Sequence, residues 1–425
     1  MQAVWYRYMN GWKKRGASFF FPRMRLPEVS YMCDVEAVVA GHVCLDLIPG
    51  LAHVPRGKLT ELLQPGHLLM TGAATFSTGG PVSNTGLALH RLGIATRLIA
   101  KVGADPFAEI VRRVVGGFDP NLVAGLVADP SVSTSYTVIL SAPGVDRIFL
   151  HCPGANDAFS CADVDYDMVA KARLFHFGYP PVMQAIYTDG GAGLVELYRR
   201  AKETGVTTSM DMTFPDPSSP GGKADWPAIL AKALPYVDVF LPSFEELLFC
   251  LRRKVYDDLA RNAPEGNILA GATPELVAGL GRQLLEMGVK IVVIKLGDQG
   301  VYLRTAGANA LRGIGRAAPA DPAAWANLQM RAACYQVDVV GTTGSGDATI
   351  AGFLSGLLRG LGPHEALNAA VAVGACNVEA ADALGGLRSW EDTMARVSAG
   401  WKHHPLDLSF EGWTRVMDGV WEKTI

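Results

Sequence analysis

The chain has few cysteines and almost no net charge. Its 425 residues include 7 cysteines, scattered with no CxxC pair, so neither a disulfide framework nor a cysteine-based zinc site is indicated. The formal net charge of -3 provides no basic field for nucleic acid. No run reaches the roughly 18 apolar residues of a membrane helix. These absences predict a cytoplasmic protein that acts on small molecules and binds neither nucleic acid nor membrane.

Two common nucleotide-binding fingerprints are also missing. The glycine-rich stretch at residues 339–354 lacks the lysine of GxxxxGK[ST], so it is not a Walker-type loop. After the first predicted strand, where a dinucleotide site carries GxGxxG, the chain has "GHVCLD" instead. The sequence therefore argues against a dehydrogenase, and only an observation of NAD binding would support that function.

The two ends of the chain are less informative than its middle. Residues 1–32 are rich in lysine and arginine, and their apolar stretch "ASFFF" is too short for a secretory signal. We predict a disordered extension there, or a true start at Met32. Residues 33–398 are predicted to form the main domain. The tail at residues 399–425 carries no pattern to which a role can be assigned.

From Val35 onward, short apolar runs alternate with segments of helical period. The runs that predict strands include "ATRLIAKVG", "ARLFHFGY", "VTTSMDM", "VDVFLPS" and "KIVVIKLG". Strands that are apolar along their whole length are typical of a parallel sheet covered on both faces, so the sequence predicts an α/β fold. Residues 35–50, "VEAVVAGHVCLDLIPG", are predicted to be the first buried strand, ending in a polar turn.

Two stretches interrupt this alternation. Residues 49–78 have no helical period, and residues 132–153 contain two β-rich arms around an Ala-Pro-Gly turn, which is typical of a hairpin. Together they predict a small β-sheet that projects from the main one. Residues 305–331, rich in alanine and proline, are predicted to be an inserted loop.

The stretch "VVGTTGSGDATIAGFL", residues 339–354, combines glycines and hydroxyl residues with one acid, Asp347. Val339 and Val340 are predicted to end an extended segment, and a helix of small residues is predicted from Ala348. Backbone N–H groups at a helix start bind anions such as phosphate, and glycines leave that backbone uncovered. A carboxylate beside such a site repels the anion, so its presence there needs a reason. Deprotonating the hydroxyl that attacks a bound phosphate is such a reason, which favours Asp347 as a catalytic base. A tight turn with an ordinary helix-start acid is the alternative.

Two stretches resemble the signatures of one family, the ribokinase-like (PfkB-type) carbohydrate kinases. "GTTGSGDATIAGFL" resembles its C-terminal signature and "GGPVSNTGLALHRLG" its N-terminal one. The resemblance covers roughly residues 35–390. It implies a three-layer α/β/α fold with a mainly parallel central sheet and a small β-sheet lid. It also implies ATP and Mg²⁺ as cofactors, a homodimer, and transfer of the γ-phosphate to a hydroxymethyl group of a small sugar or sugar acid.

The resemblance assigns roles to individual positions. It implies that Asp347 is the catalytic base. The implied anion hole is formed by Gly344, Ser345 and Gly346. The implied substrate-binding residues are Asp46, Gly79, Gly80, Asn84 and Asn156. The implied nucleotide-binding residues are Lys295, Gly297, Gly300, Thr343 and Asn377. Glu246 is implied to help position Mg²⁺, a contact that in the family often runs through water.

The chain departs from the family pattern at three places. Ser243 stands where the family has Asn, which alters the surroundings of the metal. Gly341 replaces an Asp that lies beside a monovalent cation in potassium-activated members, so weak potassium dependence is expected. Tyr179 or Gly178 occupies the place of an acid that contacts the sugar in ribokinase, which argues against ribose. His176 is predicted to pack rather than to bind a ligand.

Several functions remain open at this point. A nucleoside kinase of the same fold is one alternative, and a non-catalytic sugar- or nucleotide-binding regulator is another. A phosphosugar substrate would need cations on the lid, for which Arg56, Lys58 and Arg147 are candidates. Solvated surface charge is the simpler interpretation of all three.

Overall fold

A computed structural model describes residues 35–144, 147–263, 267–406, 408 and 412–423. The predicted extension at residues 1–32 lies outside the described residues. Within the described ranges, each helix is too short or too polar to cross a membrane.

The strands of the described part of the chain run between the following bounds. They are β1 (Ala37–Gly41), β2 (Cys44–Gly50), β3 (Gly72–Gly79), β4 (Thr96–Gly103), β5 (Leu126–Asp129), β6 (Tyr136–Leu140), β7 (Ile148–Cys152), β8 (Leu174–Gly178), β9 (Thr207–Met210), β10 (Val239–Phe240), β11 (Ile291–Lys295), β12 (Val301–Thr305), β13 (Gln329–Ala332), β14 (Trp413–Met417) and β15 (Val420–Lys423).

The helices of the same residues lie mostly between the strands. They are α1 (Leu59–Leu62), α2 (Pro81–Arg91), α3 (Pro106–Gly116), α4 (Tyr166–Lys171), α5 (Gln184–Glu203), α6 (Pro220–Lys223), α7 (Trp226–Ala233), α8 (Phe244–Leu251), α9 (Arg253–Asn262), α10 (Pro274–Glu286), α11 (Ala308–Arg312), α12 (Ser345–Leu358), α13 (Pro363–Asn377) and α14 (Trp390–Ser398).

The central sheet confirms the predicted α/β fold. Its 11 strands run in the order β14-β15-β13-β12-β11-β10-β9-β8-β1-β4-β5. The strands from β11 through β5 pair in parallel, whereas β12 to β15 add antiparallel strands at one edge. Successive residues of β1 pack into different cores: Val39 joins one hydrophobic cluster and Val38 the other. Because both faces of the strand are covered, the whole strand is apolar.

The prediction of one strand over residues 35–50 is wrong. The structure has two strands there, β1 in the central sheet and β2 in a separate four-stranded sheet, divided at His42 and Val43. The division is fixed from far along the chain, because the Asn156 side chain accepts from Val43 N at 3.1 Å and donates to Val43 O at 2.9 Å. Asp46 therefore lies within β2, in the four-stranded sheet, and not in a strand of the central sheet.

The second sheet is built from the two stretches that interrupt the alternation. Its order is β3-β2-β6-β7, with β2 antiparallel to β3 and parallel to β6, and β6 antiparallel to β7. We call it the small sheet. The pairing places Asp46 opposite Thr137, and Thr137 opposite His151, so these three residues share one face of the small sheet.

The C-terminal tail, whose sequence predicts no role, contributes to the central sheet. Strand β15 pairs with β13, and β14 pairs with β15, so the tail extends the antiparallel edge. The predicted loop at residues 305–331 contains the short helix α11 and the first residues of β13.

Candidate active site

The glycine loop leads directly into helix α12. Gly344 is the N-cap, with φ of 72°, and the helix begins at Ser345, three residues earlier than predicted. Val339 and Val340 are each 63% exposed and belong to no strand, since β13 ends at Ala332, so the predicted extended segment is absent from the sheet.

The amides at this helix start are available to a ligand. Ser345 N donates to Thr342 O at 3.3 Å, whereas the N–H groups of Gly346 and Asp347 have no partner among the described residues. The first N–H groups of a helix have no partner within the helix, and the helix dipole adds positive potential there. The loop therefore offers free amides of the kind that bind an anion, although Ser345 N is partly used by a turn.

Asp347 is buried at the start of α12 and is held by three side-chain donors. Asn84 Nδ2 and the Tyr179 hydroxyl donate to Asp347 Oδ2, at 3.0 and 2.9 Å. The Thr85 hydroxyl donates to Asp347 Oδ1 at 3.1 Å. The residue is 4% exposed, so its carboxylate faces neighbouring side chains rather than bulk solvent. Two helices that are far apart in sequence, α2 and α12, meet at this group.

Lys295, the last residue of β11, lies beside the loop. A Cβ placed on Gly346 would lie 3.5 Å from Lys295 Nζ, so this cation lies close to the glycine loop. Asp211, which follows β9, is fully buried, and neither of its carboxylate oxygens has a hydrogen-bond partner in the described part of the chain. Burial raises the pKa of Asp211 well above its usual range, and the positive charge of Lys295 opposes that shift.

Glu246 lies in the first turn of α8 and forms a capping box with Ser243. Ser243 N donates to Glu246 Oε2 at 2.6 Å, and Glu246 N donates to Ser243 Oγ at 3.3 Å. Serine therefore provides a helix cap at the position where the family has Asn. Burial raises the pKa of Glu246, and Lys295 opposes the shift.

These residues fit Mg²⁺ only in an indirect role. Among the described residues, no group of three or more His, Cys, Asp or Glu side chains is placed to hold a metal. Mg²⁺ is usually bound by one or two carboxylates together with water and substrate phosphates. Glu246 suits a contact to Mg²⁺ through water, and its carboxylate is influenced by the charge of Lys295. Asp211 adds a second carboxylate nearby.

The Gly79–Gly80 pair brings Asp46 and His42 against the backbone. A Cβ at Gly79 would lie 2.7 Å from Asp46 Oδ2, and one at Gly80 would lie 2.5 Å from His42 Nδ1. Gly80 also has φ of 87°, which side chains with a Cβ rarely adopt. Burial raises the pKa of Asp46 to about 6. A carboxylate is thus placed at the small sheet, close to the start of α2.

His42 is a polar group of the site that no sequence pattern singles out. It is 4% exposed, and neither of its ring nitrogens has a hydrogen-bond partner among the described residues. Its ring lies 5.4 Å from the His151 ring and 6.0 Å from the Tyr179 ring. Burial lowers the pKa of His42 to about 3, so the imidazole is neutral and offers one donor and one acceptor. Asn84 Oδ1 is likewise buried without a partner in the described ranges.

Two residues that are predicted to bind ligands, Asn156 and Asn377, have side-chain amides that contact the backbone. Asn156 is fully buried, and its amide is bonded to both the N–H and the carbonyl of Val43, so it holds the start of β2. Asn377 is also fully buried and donates to Ala383 O at 2.6 Å. Ala383 packs so closely on Gly344 that a Cβ there would lie 2.6 Å from Ala383 Cβ. Asn377 therefore positions the segment behind the glycine loop.

The other predicted nucleotide residues lie near Lys295 and the loop. Gly297 and Gly300 bound the turn between β11 and β12, both with positive φ. Thr343, in the glycine loop, has a buried hydroxyl with no partner in the part of the chain that the structure describes.

The three cations considered for a phosphosugar substrate contact groups close to them. Lys58 pairs with Glu61 on the surface, at 2.7 Å, and Arg147 lies over the Phe149 ring at 5.7 Å. Arg56 packs against Gly144, where an added Cβ would lie 2.4 Å from Arg56 Cγ. His176 packs as predicted: it is fully buried, and its Nδ1 lies 2.9 Å from Ser209 Oγ.

Sequence inspection missed several residues of the site. Asp211 could have been found, because it directly follows a buried parallel strand, and ligands gather at the carboxyl ends of such strands. Thr85 follows Asn84 at the start of α2 and has no distinguishing signal. The contact between Tyr179 and Asp347 depends on tertiary packing and could not have been found.

Comparisons with known proteins identify the family of the chain. Residues 50–389 match the family described as "pfkB family carbohydrate kinase". The chain is 26% identical over 323 residues to "Probable fructokinase-6, chloroplastic" of Arabidopsis thaliana, covering 74% of this chain and 72% of that protein. It is 26% identical over 351 residues to 2-dehydro-3-deoxygluconokinase of Bacillus subtilis, covering 77% and 89%.

A solved structure shows the same fold. Arabidopsis thaliana ribokinase complexed with ribose and ATP superimposes with a TM-score of 0.63 at 17% identity, over 85% of this chain and 98% of that one. The family match spans most of the chain and includes the glycine loop, Asp347 and Lys295. The chain therefore belongs to the pfkB family of carbohydrate kinases.

Proposed function

We propose that the protein transfers the γ-phosphate of ATP to a hydroxymethyl group of a small sugar or sugar acid. The observation that carries this proposal is the start of α12, where the buried carboxylate of Asp347 adjoins unpartnered main-chain amides. A base for the attacking alcohol and a site for the transferred phosphoryl group are thus adjacent, as in-line phosphoryl transfer requires.

Each group has a definite part in the proposed reaction. Asp347 takes the proton of the acceptor hydroxyl as that oxygen bonds to the γ-phosphorus, while the bond from that phosphorus to the β,γ-bridging oxygen breaks and ADP leaves. The N–H groups of Gly346 and Asp347 stabilise the negative charge that develops on the phosphoryl oxygens. Lys295 Nζ lies on the same side and adds a positive charge. Mg²⁺, when bound through Glu246 and water, would neutralise charge on the ATP phosphates.

The proposed acceptor pocket lies between the small sheet and α2. Asp46 accepts hydrogen bonds from sugar hydroxyls, and the unpartnered Asn84 Oδ1 accepts another. The neutral ring of His42 suits a hydroxyl, which can donate to one ring nitrogen or accept from the other. The orphaned buried polar atoms of this pocket are thereby satisfied when a polyol binds.

An ATP-consumption screen with a library of sugars, sugar acids and nucleosides tests the proposal. We expect turnover with at least one sugar and loss of about 10²- to 10⁴-fold in kcat for Asp347→Asn, with little change in the KM for ATP. Asp392→Asn is the matched control, since Asp392 also lies in the first turn of a helix. Turnover of nucleosides alone would select the nucleoside kinase alternative. Undiminished turnover by Asp347→Asn would refute the assigned base.

We also propose a homodimer formed through the outer face of the small sheet. Cross-strand pairing aligns Phe76, Leu47, Val138 and Leu150 in one apolar row. Phe76 is 45% exposed and Leu150 is 55% exposed, so a second copy could cover them. Sedimentation analysis of the purified protein decides the point.

The six described cysteines are free, which supports a reducing compartment such as the cytoplasm.

A further inference from the structure

Tyr179 is bonded directly to the proposed base. Its hydroxyl donates to Asp347 Oδ2 at 2.9 Å, while Thr85 donates to Oδ1 of the same carboxylate. Donors on both oxygens fix the plane of a carboxylate. An ionised carboxylate has about four acceptor positions, so the three donors present leave room for one more. That remaining position is where an acceptor hydroxyl would bind.

The backbone of Tyr179 is in a conformation that suits glycine better. Its φ of 66° and ψ of 40° place it in the left-handed region, one of three non-glycine residues with positive φ in the described part of the chain. The residues around it leave little freedom: a Cβ on Gly178 would lie 2.5 Å from Asp211 Oδ1, and Pro180 and Pro181 follow. A costly backbone conformation that persists at a site points to a use for the side chain it directs.

The Tyr179 hydroxyl remains a donor at physiological pH. Burial raises the pKa of Tyr179 well above its usual range, and the negative charges of Asp347 and Asp211 add to that effect. The group therefore keeps its proton and cannot itself act as the base. What it offers the carboxylate is a hydrogen bond.

We propose that Tyr179 is a positioning residue that orients Asp347. The proposal rests on the proposed role of Asp347 as the base. Tyr179 directly follows β8, the strand next to β1 in the central sheet, whereas Thr85 and Asn84 act from α2. The carboxylate is thus held between two separate elements, and its open position is left for the acceptor hydroxyl.

The test is Tyr179→Phe, which keeps the ring and removes only the donor. We expect kcat to fall about tenfold or more, the value of one hydrogen bond to a charged group, with the KM for ATP within about twofold of the wild type. Thr85→Val, which frees the other carboxylate oxygen, should also lower kcat and leave the KM for ATP within about twofold of the wild type.

The matched control is Tyr198→Phe. Tyr198 is a fully buried tyrosine on α5 whose hydroxyl donates to Ser209 O at 2.8 Å, away from Asp347. Its loss should lower the melting temperature and leave kcat within about twofold of the wild type. If Tyr179→Phe and Thr85→Val both retain the wild-type kcat, the positioning role is wrong while the kinase proposal stands. If the wild type itself transfers no phosphate, the proposed function fails first.

Discussion

Replacing Asp46 with asparagine should make the unliganded protein more stable at neutral pH. The pKa of Asp46 is raised from 3.8 to about 6 by burial, so ionising it costs more in the folded chain than in the unfolded one. Between these two values the folded state binds more protons than the unfolded state, and stability therefore falls as pH rises. Above the upper pKa value, about 6, the loss of stability is complete, and the ionisation of Asp46 no longer makes stability depend on pH.

The magnitude follows from the size of the shift. A difference of about two pKa units corresponds to about 2 to 3 kcal/mol of unfolding free energy. The introduced amide would carry no charge and could still accept from Cys44 Sγ, which lies 3.3 Å from Asp46 Oδ1. We expect Asp46→Asn to be more stable than the wild type by about 2 kcal/mol at about pH 8, with the gap closing as pH falls toward about 4.

Urea unfolding at several pH values, without sugar, measures this gap. In parallel, the sugar KM of the wild type should rise about tenfold from about pH 7 to about pH 5 as the carboxylate is protonated, and that of the variant should be high and flat. Asp167→Asn, at an exposed carboxylate on α4, is the control. The reasoning is refuted if Asp46→Asn is less stable than the wild type at neutral pH. It is also refuted if the difference in unfolding free energy between the two proteins is the same at every pH.

Two further predictions concern the nucleotide side. Lys295→Met should raise the KM for ATP about tenfold or more and affect the sugar KM less, because its charge lies beside the anion site. Lys290→Met, near the other end of β11, is the control, and steady-state assays measure both variants. Potassium should change the rate less than about twofold, since Gly341 supplies no carboxylate where potassium-activated relatives have one. A potassium titration that raises the rate several-fold would contradict this expectation.

The glycine loop and its acid could be predicted from the sequence because their chemistry is local. A helix start with glycines and one carboxylate has only a few possible uses, and they are encoded within seven residues, 341–347. The fold class was equally accessible, since strands such as β1 are covered on both faces and are therefore apolar throughout.

The division between β1 and β2 could not be predicted because both strands are apolar. What separates them is a turn at Gly41, with φ of 124°, and the two hydrogen bonds from Asn156, which is 113 residues away from Val43. The interaction of Tyr179 with Asp347 spans 168 residues and depends equally on tertiary structure. By contrast, the S-x-x-E spacing of Ser243 and Glu246 is a capping-box signature that sequence inspection could have used.

The bonds between Asn156 and Val43 also restrict how the molecule can move. They join the segment that enters the small sheet to the segment that returns from it, just beyond the carboxyl end of β1. We expect any tilt of the small sheet to pivot near this joint and to carry Asp46 and His151 together, since both residues belong to that sheet. Asp347 stays behind with α12, so the groups that would select the sugar and the group that would activate it are mechanically separate.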